Sequence, residues 1–270
     1  RSAVVQAQTY KIELDLSTRD DTFSSKTTLH FTAREDNSTW IDFIAPKVQS
    51  IELNGEALDT GTHDGFRIPL HNLKTHNVLI VEAEAAYMNT GEGLHRFIDP
   101  VDDEVYLYTQ FEIADARRVF ACFDQPDIKA TFAFTITAPD HWKVTSNSAT
   151  PVPESVRDGI ERWTFAPSAK MSTYITAIVA GPYHEVRDEY KGKFGTYPLG
   201  LFCRNSLAEY LDPEDLFTVT KQGFKYFEDA FDFGYPFEKY DQLFVPEFNA
   251  GAMENAACVT HHESYVFRSK

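Results

Sequence analysis

The chain has 270 residues, 43% of them hydrophobic and 22 of them phenylalanine, which supports a substantial core and argues against disorder. Its net charge of −16 excludes a nucleic-acid binder, which presents a basic face; an acidic surface keeps a protein soluble and also suits cationic ligands. No apolar run approaches the roughly 20 residues of a membrane-spanning helix, so no membrane partner is expected.

Three cysteines, Cys122, Cys203 and Cys258, are odd in number and far apart, with no Cys-x-x-Cys. Neither a disulfide framework nor a thiolate metal site fits that pattern, and buried reduced thiols point to the cytoplasm. No charged-then-apolar leader follows Arg1, so no signal peptide is expected.

From Thr9 to Leu16, Tyr10, Ile12, Leu14 and Leu16 alternate with polar residues, the period of a half-buried strand. Similar segments follow at Thr27–Thr32, Thr39–Ile44 and Val48–Leu53, then the Asn54-Gly55 turn, then Phe66–Leu70 and Asn77–Tyr87. Such a series predicts an antiparallel β-sandwich or saddle-shaped sheet. Val105–Gln110 reads as a strand and Ala114–Phe123 as a short helix, followed by a turn at Asp124-Gln125-Pro126-Asp127. Gln110 and Glu112 share parity, so both point to one face if the strand continues through them. Arg117 and Arg118 are expected to pair with nearby acids such as Asp124 or Asp127.

Further strands are expected at Thr131–Thr137, Lys143–Ser146, Glu161–Phe165 and Thr173–Val179, with a hairpin loop at Pro151–Asp158. The chain turns polar around Asp188–Gly195, which places a domain boundary there: residues 1–192 form an amino-terminal β domain and 193–270 begin a second domain. After a strand at Leu199–Arg204, Asp212 and Pro213 open a helix, with Glu214 and Asp215 at its positive end. Leu216, Val219, Gly223, Phe227, Ala230 and Phe231 recur at helical spacing and predict a buried stripe, and Gly234-Tyr235-Pro236 should stop the helix.

The most informative stretch follows. Leu243, Phe244 and Val245 read as a buried strand, and Pro246 removes a backbone donor. Ala250, Gly251 and Ala252 leave room for another backbone beside the chain, and Glu254 places a carboxylate there. Such an edge suits an extended peptide, held by main-chain bonds and by charge. A Gly-x-x-Glu alone is an ordinary edge strand with a solvated glutamate.

The run Gly251-Ala252-Met253-Glu254-Asn255, however, resembles the signature of the aminopeptidase N family of zinc metalloaminopeptidases, in its bacterial form above all. Thr-Gly-Glu-Gly at 90–93 and Phe-Asp-Gln-Pro-Asp at 123–127 are similar to loops of the same family. The resemblance implies a mainly β amino-terminal domain followed by the α+β start of a thermolysin-like catalytic domain. It implies that Glu254, with Glu112 and Gln110, binds the free α-amino group of a peptide. Gly251 and Ala252 would offer main-chain groups, Met253 and Asn255 would join them in binding the substrate, and Ala250 would line the first side-chain pocket.

Zinc in that family is held by an H-E-x-x-H helix plus a third ligand, and none of the nine histidines here stands in such a motif. His261 and His262 are adjacent, so a strand would point them to opposite faces. The resemblance therefore implies zinc ligands beyond residue 270, an intact enzyme that removes amino-terminal residues from peptides, and a 270-residue piece that is inactive by itself. The rival readings are a non-catalytic scaffold on the same fold, an epoxide hydrolase with aminopeptidase activity, and a carbohydrate-binding β-sandwich, which explains the strands but not Gly251–Asn255.

Overall fold

A computed structural model describes residues 1–18, 20–35 and 37–268. The described residues are mostly β, with one long helix, and the strands of the first two sheets interleave along the sequence. The first strands are β1 (Val5–Asp15), β2 (Thr22–Ala33), β3 (Thr39–Asp42), β4 (Lys47–Leu53), β5 (Glu56–Leu58), β6 (Arg67–Leu70) and β7 (His76–Ala86). Next come β8 (Gly93–Ile98), β9 (Val105–Gln110), β10 (Thr131–Pro139), β11 (Lys143–Ser146), β12 (Glu154–Arg157), β13 (Ile160–Thr164) and β14 (Ile178–Gly181). The remainder is β15 (His184–Lys191), β16 (Thr196–Cys203), helix α1 (Pro213–Phe231), β17 (Tyr240–Val245), β18 (Ala252–Met253) and β19 (Cys258–His262).

An eight-stranded sheet in the order β12-β13-β10-β1-β2-β7-β4-β5 covers a four-stranded sheet, β11-β14-β9-β8, and β3 pairs separately with β6. In β1 the buried positions are Val5 and Ala7, then Tyr10, Ile12 and Leu14. The parity switches at an irregularity between Ala7 and Thr9, where a bulge inserts one residue against β2. Tyr10 stacks on Phe132 of β10 at 5.0 Å, inside the core between these two sheets.

A five-stranded sheet, β15-β16-β17-β19-β18, forms the third layer. Alternation along β9 joins the layers. Leu107 enters the first core, whereas Tyr106 and Tyr108 enter a second one with Phe202, Leu243 and Val245 of the five-stranded sheet. The opposite face of that sheet, through Leu199, Leu201 and Phe244, packs with Phe217 and Phe224 of α1.

Several expectations change. Residues Ala114–Phe123 are not a helix; only Ala116–Arg118 makes a 3₁₀ turn. Val119 to Phe123 are wholly buried, and their backbone is satisfied from the sheet instead. Ala121 N–H donates to Thr27 Oγ1 (3.2 Å), Phe123 N–H donates to the Tyr10 hydroxyl (3.1 Å), and Cys122 exchanges two backbone bonds with Asp42.

The expected strand Thr173–Val179 begins with a 3₁₀ turn at Thr173–Ile175, because Thr176 Oγ1 donates back to Thr173 C=O (2.7 Å). The expected loop at Pro151–Asp158 contains β12, an edge strand exposed along its length and therefore without apolar alternation. The polar stretch after Asp188 belongs to β15, another edge strand, and residue 192 falls in the turn between β15 and β16.

Helix α1 starts as expected, with the Asp212 side chain accepting from Asp215 N–H and Pro213 in the first turn. It ends at Phe231, because Asp232 takes a left-handed conformation, before Gly234 is reached. Its buried side is Phe217 and Glu228, whereas Val219, Phe227 and Phe231 are 58%, 56% and 72% exposed. The helix carries two apolar stripes, and spacing alone does not say which one packs. The outward stripe forms one wall of a 680 Å³ groove with Phe233, Tyr235 and Tyr240.

Candidate functional site

β18 is the outer strand of the five-stranded sheet and pairs only with β19. Gly251 C=O accepts from His262 N–H (2.9 Å), which makes Ala252 and His261 a non-hydrogen-bonded pair. By strand alternation the N–H and C=O of Ala252 then face the open edge, where an extended peptide can add. The carbonyl of Gly251 is already engaged, so Ala252 is the residue that offers main-chain groups.

Ala250, Gly251, Ala252 and Glu254 are exposed, whereas Met253 and Asn255 are buried. Met253 anchors the strand in the second core beside Tyr108 and Phe248, whose rings meet edge-on at 5.7 Å. Asn255 caps the return to β19: its C=O accepts from Cys258 N–H (3.1 Å) and its amide donates to Thr260 Oγ1 (3.3 Å). A Cβ at 251 would stand 2.9 Å from the Tyr265 hydroxyl, so a larger residue there would displace that half-exposed ring.

Gln110 closes β9 and shares the parity of Tyr106 and Tyr108, so it lies on the face that packs toward the five-stranded sheet. Its amide oxygen is buried and has no hydrogen-bond partner among the described residues. An orphaned buried acceptor of this kind is satisfied by a donor from a ligand or a water.

Glu112 lies two residues beyond the strand, in a turn where Asp115 N–H donates to Phe111 C=O (3.1 Å), so strand parity does not set its direction. Glu112 and Glu254 make no hydrogen bond or ion pair with any described residue, so two free carboxylates and one free amide oxygen are the polar groups on offer.

Arg118 does not pair with Asp124 or Asp127. Its guanidinium donates to Asp115 (2.6 Å) and approaches Glu92 (3.8 Å), while the backbone N–H of Arg117 donates to Asp124 (3.1 Å). All three cysteines are free and buried; burial pushes the Cys203 and Cys258 thiols up to about 12.

Among the described residues no group of three or more His, Cys, Asp or Glu side chains could hold a metal ion. His261 and His262 follow each other on β19; His261 stacks on Phe244 (5.4 Å), and His262 Nδ1 accepts from Ser264 N–H (3.0 Å). This donor set does not fit a zinc site.

Sequence reasoning missed the residues that hold these strands in place. Arg204 is buried between Asp99 and Glu263, with two bonds of 2.8 and 2.9 Å to the latter and a shorter one to Asp99. His95, Glu247 and Asn249 join the Thr90–Gly93 loop to the segment before Gly251. No local pattern marks such long-range partners; only the Gly at 91 hints at a close approach.

An open sheet edge can accept an extended peptide as an added strand, and the exposed Glu254 directly follows this one. Residues 6–175 match the Peptidase M1 N-terminal domain and residues 216–269 match the Peptidase family M1 domain. The chain belongs to the peptidase M1 family. It is 53% identical to Aminopeptidase N of Streptomyces lividans over 275 residues, covering 100% of this chain and 32% of that protein. Glutamyl aminopeptidase of Sus scrofa is 32% identical over 219 residues, or 71% of this chain and 22% of the relative. Aminopeptidase N of Acetobacter pasteurianus is 30% identical over 222 residues, or 78% of this chain and 58% of the relative. The chain thus spans about a third of the length of the Streptomyces relative.

Proposed function

We propose that this chain is the amine-recognition part of a zinc-dependent aminopeptidase that removes amino-terminal residues from peptides. The observation that carries the reading is the free β18 edge, with unpaired Glu254 directly after it and the orphaned Gln110 oxygen on the β9 face that packs toward the same sheet. A peptide lying along β18 would donate to and accept from Ala252, as an added strand does. Its α-ammonium would be held by charge-assisted hydrogen bonds to Glu254 and Glu112 and would donate to Gln110 Oε1. These groups bind and orient: they fix the amino terminus, so that only the first peptide bond is presented for cleavage. Ala250 would line the pocket for the first side chain.

The residues after β15 would open a thermolysin-like catalytic domain that starts near residue 193. Zinc, when bound, supplies a Lewis acid and an activated water in enzymes of this class, and its ligands would lie beyond residue 270. The 270-residue chain alone would then be inactive. The three reduced, buried thiols support a cytoplasmic location.

The test is Glu254→Ala in the full-length protein, assayed on an aminoacyl p-nitroanilide. Loss of a charge-assisted bond of about 1.5–3 kcal/mol predicts a fall of roughly 10–100-fold in kcat/KM with folding intact. Near-normal turnover would remove Glu254 from the site, and a full-length protein with neither zinc nor activity would make the fold a scaffold.

A further inference from the structure

The β8–β9 hairpin carries Gln110 at its end, where it pairs with Gly93 of β8. Glu254 stands on a different layer, beyond the segment from Glu247 to Asn249. A set of polar contacts that peptide binding does not use joins these two halves. His95 of β8 is completely buried. Its Nδ1 accepts from Gly91 N–H (3.0 Å), so the ring proton sits on Nε2, which is 3.1 Å from Oε2 of Glu247. The Tyr108 ring lies against the imidazole at 4.9 Å, and its hydroxyl donates to Glu247 C=O (3.2 Å).

Two residues further on, the Asn249 amide donates to Thr90 C=O (2.5 Å). The approach is close: Gly91 has φ +78°, and a Cβ on it would collide with that amide. Glu247 itself takes a left-handed φ of 51°, unusual for a glutamate and held here through both its side chain and its carbonyl. Four side chains, those of His95, Tyr108, Glu247 and Asn249, thus close one joint, and all of them lie within the sixteen residues of 90–95, 108 and 247–255 that meet there.

We propose that His95, Glu247 and Asn249 are positioning residues, a clasp that sets the register of Glu254 against Gln110 and thereby the affinity for the substrate's ammonium group. The inference rests on the aminopeptidase reading above. A joint that only adds stability would lower the amount of folded enzyme and leave KM alone. A joint that sets register acts on substrate binding.

The experiment compares Glu247→Ala and Glu247→Gln in the full-length enzyme, on an alanyl p-nitroanilide. Glu247→Ala is expected to raise KM by about 5–30-fold with kcat changed less than about twofold, the pattern of lost binding. Glu247→Gln keeps an oxygen that accepts from His95 Nε2–H and should return KM to within about threefold of wild type. A fall in kcat at unchanged KM, or equal losses in the two variants, overturns the proposal.

Hydrogen exchange on the full-length protein gives a readout that does not need activity. Amides of residues 247–255 should exchange faster in Glu247→Ala while the first core keeps its protection. Unchanged exchange there overturns the clasp. A full-length wild type without aminopeptidase activity, together with the expected exchange, would instead sink the amine-site reading and leave the clasp standing as a structural joint.

Discussion

At the scale of single residues, the histidines and cysteines show how burial changes chemistry that the sequence only names. His261 is stacked on Phe244, and its Nε2 is buried without a hydrogen-bond partner among the described residues. Burial pushes its pKa below the ordinary histidine value of 6.5, and His95 is shifted in the same direction by its own burial, with Glu247 opposing. The unfolded chain therefore takes up these protons near pH 6.5, and the folded chain only at lower pH. The contribution of these two histidines to stability falls as pH drops below 6.5. His261→Phe should make that fall shallower, read as Tm at pH 7 against pH 5 in wild type and variant; parallel slopes would remove His261 from the effect. The cysteines follow the same logic. With the Cys203 and Cys258 thiols pushed up to about 12 and Cys122 buried outright, iodoacetamide should label none of them at pH 8 until the chain unfolds. Rapid labelling of native protein would contradict the burial described. The thiols were legible from spacing and apolar context. The orphaned Gln110 oxygen was not, because an unsatisfied group is a property of its neighbours in space.

At the scale of elements, the sequence was most readable where one face of a strand is wet. β2 and β7 alternate cleanly and β1 does so beyond its bulge; β7 lies close to its expected limits, whereas β1 and β2 begin earlier than expected, at Val5 and Thr22. Edge strands β12 and β15 escaped notice because neither has a strongly apolar face. The stretch from Val119 to Phe123 failed for the opposite reason: buried on all sides, it has no periodicity to read. The strand bearing Glu254 was recognisable from its small residues, but its supports come from far along the chain. Arg204 is one of these, reaching Asp99 on one side and Glu263 on the other. Arg204→Met should destabilise the chain by about 3–5 kcal/mol, since Asp99 would be left as a buried charge without its partner. Urea unfolding of the variant measures it, and a change below about 1 kcal/mol would mean that Asp99 finds other donors. Gly91→Ala would impose a left-handed alanine costing about 1–2 kcal/mol and would press on the Asn249 amide as well.

At the scale of the whole molecule, alternate strand faces glue four layers into one stack, with α1 on the outside of the last sheet. The outward stripe of α1 leaves a broad aromatic surface in water. A hydrophobic dye such as ANS should therefore bind the folded chain, and Phe227→Ser with Phe231→Ser should reduce that fluorescence while changing stability by less than about 0.5 kcal/mol each. Unchanged fluorescence would place the dye elsewhere.

The parallel pairing of β1 with β10 has a consequence for synthesis. Thr9 meets Thr131, and Asp15 meets Thr137, so one edge of β1 finds its neighbour only after more than a hundred further residues have been made. At ribosomal speed that interval is on the order of 10 s. During it, the β1–β2 ribbon stands with its apolar face uncovered and one backbone edge open, long enough for a nascent-chain chaperone to bind and for neighbouring chains on a polysome to pair wrongly. β1 is thus secured on that edge only once β10 has been made.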